Sequence, residues 1–227
     1  MSRPSSTTWP FERAVPAVAE LAIEVTGSRV EPYAAVPTIA FTAALREATG
    51  VTVHTIALRS QIRIEPQRRR YSAEERERLV ELFGETPQWG DSLRPFLWAH
   101  LDTTLAGFSG EATAELPLVC TYDFDVAAAK YLHALGDGEV PLLFLFSGTV
   151  FVNGPTGFTT ELVPWHLESR YRLPVATWRA LMDRYFPNSG WLRLSRDTID
   201  ALQRFRAERA LPTWDQAIET LLKETGE

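Results

Sequence analysis

Apolar and polar residues alternate along most of the chain and change to a helical rhythm near its end. Leu21, Ile23 and Val25 alternate with Glu20, Glu24 and Thr26. Ile39, Phe41, Ala43 and Leu45 alternate with Thr38, Thr42 and Arg46, and Ile56, Leu58, Ile62 and Ile64 with Arg59, Gln61, Arg63 and Glu65. A strand sends successive side chains to opposite faces, so a period of two predicts half-buried antiparallel strands. Gly27-Ser28, Pro32-Tyr33 and Thr49-Gly50 break them. Ser72 and Glu75 have capping-box spacing ahead of Leu79, Leu82 and Phe83, which predicts a helix ending at Gly84. Strands are expected over 96–107 and 111–122, then a short helix capped by Asp125 with Tyr131, Leu132 and Leu135 inward. The segment 140–152 is apolar on both faces, as a central covered strand would be. A turn at Asn153-Gly154-Pro155 and a return strand through Phe158, Thr160 and Leu162 follow.

The last quarter reads as helices. Pro174 opens one with Val175, Trp178, Leu181, Met182 and Tyr185 on one side. Ser195 caps a second, carrying Ile199, Leu202 and Phe205. Thr213 and Gln216 start a third, with Trp214, Ile218 and Leu221 inward. Strands first and helices last imply an α+β fold: an antiparallel, immunoglobulin-like β-sandwich core with inserted short helices and a C-terminal helical segment packed on it. A single antiparallel sheet covered by helices, as in export chaperones, is the competing arrangement. Residues 1–17 read as a flexible lead-in and 18–227 as one domain, mainly β over 18–169 and mainly helical over 170–227.

Composition narrows the chemistry. No run of 18 apolar residues exists to span a bilayer, and the first residues lack the pattern of a secretory signal. Cys120 is the only cysteine, so no intrachain disulfide and no cysteine-based zinc cage can form. These exclusions point to the cytoplasm. A net charge of −6 argues against general nucleic-acid binding. His54, His100, His133 and His166 are scattered, without metal-ligand spacing. Asp123, Asp125, Asp137 and Glu139 do not meet calcium-loop spacing; Asp125 reads as an N-cap and Asp137-Gly138 as a turn. Cys120 lies on the core side of its strand among apolar and acidic neighbours, which favours a buried small hydrophobe over a nucleophile. Neither Gly107–Gly110 nor Ser147-Gly148 makes a nucleophile elbow, and no phosphate loop or dinucleotide fingerprint is present. No cofactor is implied.

Charge placement carries more information than net charge. Residues 110–168 hold eight acids against Lys130, whereas residues 170–209 hold nine arginines against four acids. Arg68-Arg69-Arg70 is a second basic cluster. Such arginines either pair internally with the acidic middle or form a surface for an acidic partner, since guanidinium clamps planar oxyanions. On the second reading Arg68, Arg69, Arg70, Trp178, Arg179, Trp191 and Arg193 are the candidate partner-binding residues, because Trp and Arg are enriched at interface hot spots.

The blocks QIRIEPQRRRYS (61–72), LPLVCTYDFDVAAAKYLHAL (116–135), GEVPLLFLFSGTVF (138–151), RLPVATWRALMDRYFPNSGWLRLSRDT (172–198) and LPTWDQA (211–217) together resemble an uncharacterised bacterial family from high-GC genomes. Its members are often encoded near [NiFe]-hydrogenase structural genes. The resemblance implies an accessory role in assembly or maturation and assigns no catalytic or binding residue. The expectation is therefore a non-enzymatic binding or accessory protein. The alternatives are an enzyme with a site assembled from distant residues, where His133, His166 and Asp123 could converge, and a homo-oligomeric structural subunit.

Overall fold

The computed structural model describes residues 20–124, 126–154 and 157–226. The expected lead-in, the Asp125 cap and the turn at Pro155 lie outside them. The strands, in chain order, are β1 (Leu21–Val30), β2 (Thr38–Glu47), β3 (Val53–Ile64), β4 (Phe96–Phe108), β5 (Glu111–Val119), β6 (Glu139–Gly154), β7 (Gly157–Leu162) and β8 (Glu168–Pro174). They divide into two antiparallel sheets. One runs β1-β2-β5. The other runs β4-β3-β6, with β7 and β8 both pairing with β6. The single-sheet alternative is therefore excluded. β7 takes Thr149–Gly154 and β8 takes Glu139–Leu145, so one long strand is flanked by two short ones end to end.

β8 is not among the expected strands, and the expected helix opens at Pro174, where β8 ends. Its alternation is clean: Ser169 and Leu173 are buried while Glu168, Arg170 and Arg172 are exposed. Three charged residues in seven mask its β character until the inward positions are separated out. β5 ends at Val119, short of the expected Tyr122.

The alternating positions of both sheets feed one hydrophobic cluster. Phe41 of β2 lies at its centre, fully buried, with edge-on ring contacts to Trp98 of β4, Phe144 of β6 and Tyr171 of β8. Along β1 and β8 the sheets are tied by side chains: the Val25 amide donates to Ser169 Oγ (2.9 Å), and Ser28 Oγ and Tyr171 Oη lie 3.0 Å apart. The outer face of β6 is not entirely wet. Leu143, Leu145 and Phe151 are half-buried. In register beside Leu143 are Arg63 and Arg170, and beside Leu145 are Gln61 and Glu168. Long polar side chains can lay their aliphatic stems over such positions, so this strand reads as apolar on both faces without a helix above it.

The helices are α1 (Ala73–Phe83), α2 (Trp89–Ser92), α3 (Ala127–Ala134), α4 (Val175–Tyr185), α5 (Arg196–Glu208) and α6 (Trp214–Thr225). The Ser72–Glu75 capping box forms as its spacing predicts, and Gly84, at φ 74°, ends α1. α4 leaves β8 directly at Pro174 and lies against β1, β2 and β8. There it buries Val175, Trp178, Leu181 and Met182. α5 and α6 behave otherwise. They pack on each other, and of their residues only Ala217 is buried. The expectation that all three C-terminal helices pack on the sheets holds for α4 and fails for this hairpin.

Candidate binding groove

The first arginine cluster is largely structural. Arg69 donates to Glu75 Oε1 (2.5 Å) and to the carbonyls of Asp137 (2.7 Å) and Glu139 (3.3 Å), and its guanidinium sits over the Tyr71 ring. Glu75 also accepts the amides of Gly136 (2.7 Å) and Ser72 (3.1 Å). Burial pushes the Glu75 carboxyl up, but the Gly136 amide, Arg69 and the Ser72 amide outweigh it and hold it below its ordinary value. Beside this pair the Tyr71 hydroxyl donates to the Pro66 carbonyl (2.7 Å), and the Tyr131 hydroxyl lies 2.8 Å away. Burial pushes Tyr71 up to about 12. With 7% of its side chain exposed, Arg69 is withdrawn from any partner surface. It bolts the segment before α1 to the loop after α3. Arg68 and Arg70 stay exposed, with Arg68 paired to Glu65 (3.1 Å).

Much of the arginine-dense end answers charges within the fold. Arg170 pairs with Glu168 (2.6 Å) and Glu65 (3.7 Å), Arg172 with Glu139 (3.8 Å), and Arg209 with Glu224 (3.1 Å). Two of these acids, Glu139 and Glu168, come from the acidic middle of the chain, brought beside the arginines by the β6–β8 pairing.

The groove lies between α1, α3, α4 and the segment after β5. Its two adjoining halves have volumes of about 420 Å³ and 380 Å³ and share Tyr122, His133, Met182 and Asp183. Helical spacing sets one wall: Trp178 and Met182, and beside them Arg179 and Asp183, are each four residues apart on α4. Trp178 is 2% exposed and forms part of the floor, so it too leaves the proposed outer surface. Tyr122 packs against Trp178, Phe124 and Phe186 at centroid distances of 6.3, 4.9 and 5.9 Å. Tyr122 Oη is 2.7 Å from His133 Nδ1, and Phe124 meets the same imidazole edge-on. Burial lowers the His133 pKa first, and the positive charges of Arg78 and Arg179 lower it further. Burial raises Tyr122, helped by Asp183 and opposed by Arg179. The segment carrying Gly190 is held against this wall by the Phe124 amide donating to the Trp191 carbonyl (3.3 Å).

The other candidates do not converge. His166 stands beside Trp165 and borders a different hollow, with Glu20, Leu21, Arg46 and Thr49. Asp123 bridges to Trp191. His54 stacks on Phe158, 4.3 Å between centroids. Cys120 is buried, and burial pushes its thiol up to about 12, far from a thiolate at neutral pH. Among the described residues no group of three or more His, Cys, Asp or Glu side chains is placed to hold a metal ion, and no helix is long and apolar enough to cross a membrane.

A sequence family matches residues 18–227, nearly the whole chain. The protein belongs to DUF6084, a family of unknown function. No curated protein matches the sequence. Among solved structures, the chain is similar to the CARDB domain of a Pyrococcus furiosus protein in complex with di-metal ions: 9% identity, 69% of this chain, 92% of that one, TM-score 0.27. It is also similar to a β-glucosidase from Kluyveromyces marxianus: 8% identity, 68% of this chain, 15% of that one, TM-score 0.26. At such identities and scores nothing functional passes from either to this DUF6084 chain.

The α5–α6 hairpin of this DUF6084 member presents an apolar stripe. Trp214, Ile218 and Leu222, one turn apart on α6, are 41%, 40% and 46% exposed, and Ile199 on α5 is 41% exposed. Arg206 lies over the Trp214 ring (4.2 Å) and Arg209 over Phe205 (4.0 Å). Just before the hairpin, Trp191 and Leu192 are more than 60% exposed, at 61% and 63%. Arg179 and Arg193 are also exposed. The sequence reading missed Arg78, Tyr122, Phe124, Asp183 and Phe186. They come from separate elements, and no spacing along the chain joins them. The one available signal was the closely spaced aromatic pair Tyr122 and Phe124 just after β5, which by itself names no partner.

Proposed function

We propose that the chain is a non-enzymatic accessory protein that binds an acidic protein partner through its C-terminal helices. The observation that carries this reading is the α6 stripe of Trp214, Ile218 and Leu222, half exposed on a hairpin that buries only Ala217. Contiguous apolar surface held in water is what interaction sites present. Beside it the segment 193–209 holds five arginines against three carboxylates, which favours an acidic partner. Exposed Trp191 and Arg193, just before the hairpin in the chain, add to that surface, and Arg68 and Arg70 form a second, smaller basic patch. The scaffold behind it is read as an immunoglobulin-like sandwich, because both sheets supply the one apolar cluster around Phe41. The family resemblance supports assembly or maturation of a hydrogenase-type complex in a bacterial cytoplasm as the setting.

The test is affinity capture from the native host with Ile218→Asp and Leu222→Asp chains, each with its melting curve. The reading expects both to fold normally and to lose a partner that the parent chain retains at low salt and releases at high salt. Unchanged capture by both variants would overturn it. If light scattering instead shows the parent as a dimer and the variants as monomers, the stripe serves a second copy and the homo-oligomer reading replaces this one.

A further inference from the structure

The groove between α1, α3 and α4 holds positive charge that its neighbours do not neutralise. Arg78 and Arg179 both border it, and neither makes an ion pair among the described residues. Arg179 gives one N–H to the Leu135 carbonyl (2.8 Å), while Arg78 is coupled to exposed Glu74 one turn away. Among the described residues the one carboxylate in the lining is Asp183, shared by both halves. The walls include the aromatic Tyr122, Phe124, Trp178 and Phe186, with Met182 and His133, and polar Asn188 and Ser189 border the second half.

Two guanidinium groups beside an aromatic wall have the chemistry to recognise a planar ring bearing an oxyanion. The charge is held by forked N–H donors and the ring by stacking and sulfur contacts. Size selects among such ligands. Each half falls in the range of about 300–1,000 Å³ typical of small-molecule sites. A docked helix, about 10 Å across, asks for a longer trough. We infer that this groove binds a small aromatic carboxylate or phosphate monoester. Its oxyanion would lie between Arg78 and Arg179, and its ring against the half-buried Tyr122 and Phe124. Asp183, at the junction of the halves, disfavours a second negative charge and can accept a hydrogen bond from a ligand hydroxyl. This site is independent of the α5–α6 surface.

Titration of the full chain with phenyl phosphate and with phenylacetate, by calorimetry, tests it and ranks the two headgroups. Phenol and inorganic phosphate serve as the chargeless and ringless controls. The expected result is binding of at least one aromatic anion with a Kd below about 1 mM, at least about tenfold tighter than either control. Arg78→Gln and Arg179→Gln should each weaken it by about tenfold; exposed Arg78→Gln should leave the melting curve unchanged, and Arg179→Gln, which also loses the bond to the Leu135 carbonyl, should lower the midpoint by no more than a few degrees. A second readout is the His133 imidazole by NMR. Its titration should move to higher pH when the anion is bound, and also in ligand-free Arg78→Gln, because each change removes positive potential. No binding of either aromatic anion, binding equal to that of phenol, or binding indifferent to both arginine substitutions would each overturn the assignment. So would binding confined to acidic peptides.

Discussion

α4 and α6 are amphipathic helices of nearly equal length, 11 and 12 residues, with opposite fates. α4 buries four apolar side chains; α6 buries one alanine. Their sequences do not explain the difference, since each carries a tryptophan and several aliphatic residues. The connections do. α4 begins where β8 ends, so its apolar face is delivered onto β1, β2 and β8. α6 follows α5 after a short loop, and its contacts are spent on α5. An apolar stripe stabilises a fold only when the chain path brings a complementary face to it. Where none arrives, the stripe is left for something else. The arginines repeat the lesson: Arg69 is consumed by Glu75 and the α3 loop, whereas Arg78 and Arg179 face a groove.

The most direct way to break this comparison is to truncate matching tryptophans. Trp178→Ala should cost about 3–5 kcal/mol in denaturant unfolding. Trp214→Ala, on the exposed stripe, should cost less than about 1 kcal/mol. Similar losses at both sites would show that α6 is as much part of the cooperative core as α4. Glu75→Ala comes close behind, at about 3–5 kcal/mol, because it leaves the Arg69 guanidinium buried without its counter-charge. Replacing both partners with apolar residues should recover most of that loss, which double-mutant unfolding would measure.

Acid unfolding sharpens the same distinction. Glu47 at the end of β2 is buried, which alone would raise its carboxyl. Hydrogen bonds from Thr49 Oγ1 (2.5 Å) and the amides of Thr49, Gly50 and Glu20 hold it low instead. Glu75 is held low as well. Both depressed carboxyls contribute stability that is complete above the unfolded carboxyl value of about 4.3 and is lost as pH falls through their folded values. Melting midpoints should therefore fall steadily below about pH 4, and less steeply in Glu75→Gln. Smaller still is the effect of removing residues 195–227. The remaining chain should keep its melting transition within a few degrees, because α5 and α6 contribute only Ala217 to the buried set. Smallest is Ile218→Glu, expected within about 0.5 kcal/mol of the parent.

The strand pattern was readable because each of β1 to β3 has one buried face, and burial of alternate positions is a local rule. Capping was equally local: Ser72, Ser195 and Thr213 each accept the amide three residues on. β8 escaped because Glu168, Arg170 and Arg172 carry its exterior, so its three inward residues were hidden among charges. The groove escaped for a different reason. Arg78, Tyr122, His133 and Asp183 lie on separate elements, and their approach depends on how α1, α3 and α4 are seated.

By itself the sequence determined the alternation of strands, the helix caps, the inward place of Cys120 and the charge contrast between the acidic middle and the arginine-rich end. These follow from periodicity and composition, which act within a few residues. The tertiary structure decided which charges meet. It turned Arg69 and Trp178 inward, set Arg170 and Arg172 beside Glu168 and Glu139, and left Arg78 and Arg179 over an aromatic wall. It also decided which helix joined the core. Side-chain electrostatics act over a few ångströms, so their outcome depends on contacts between segments far apart in the chain.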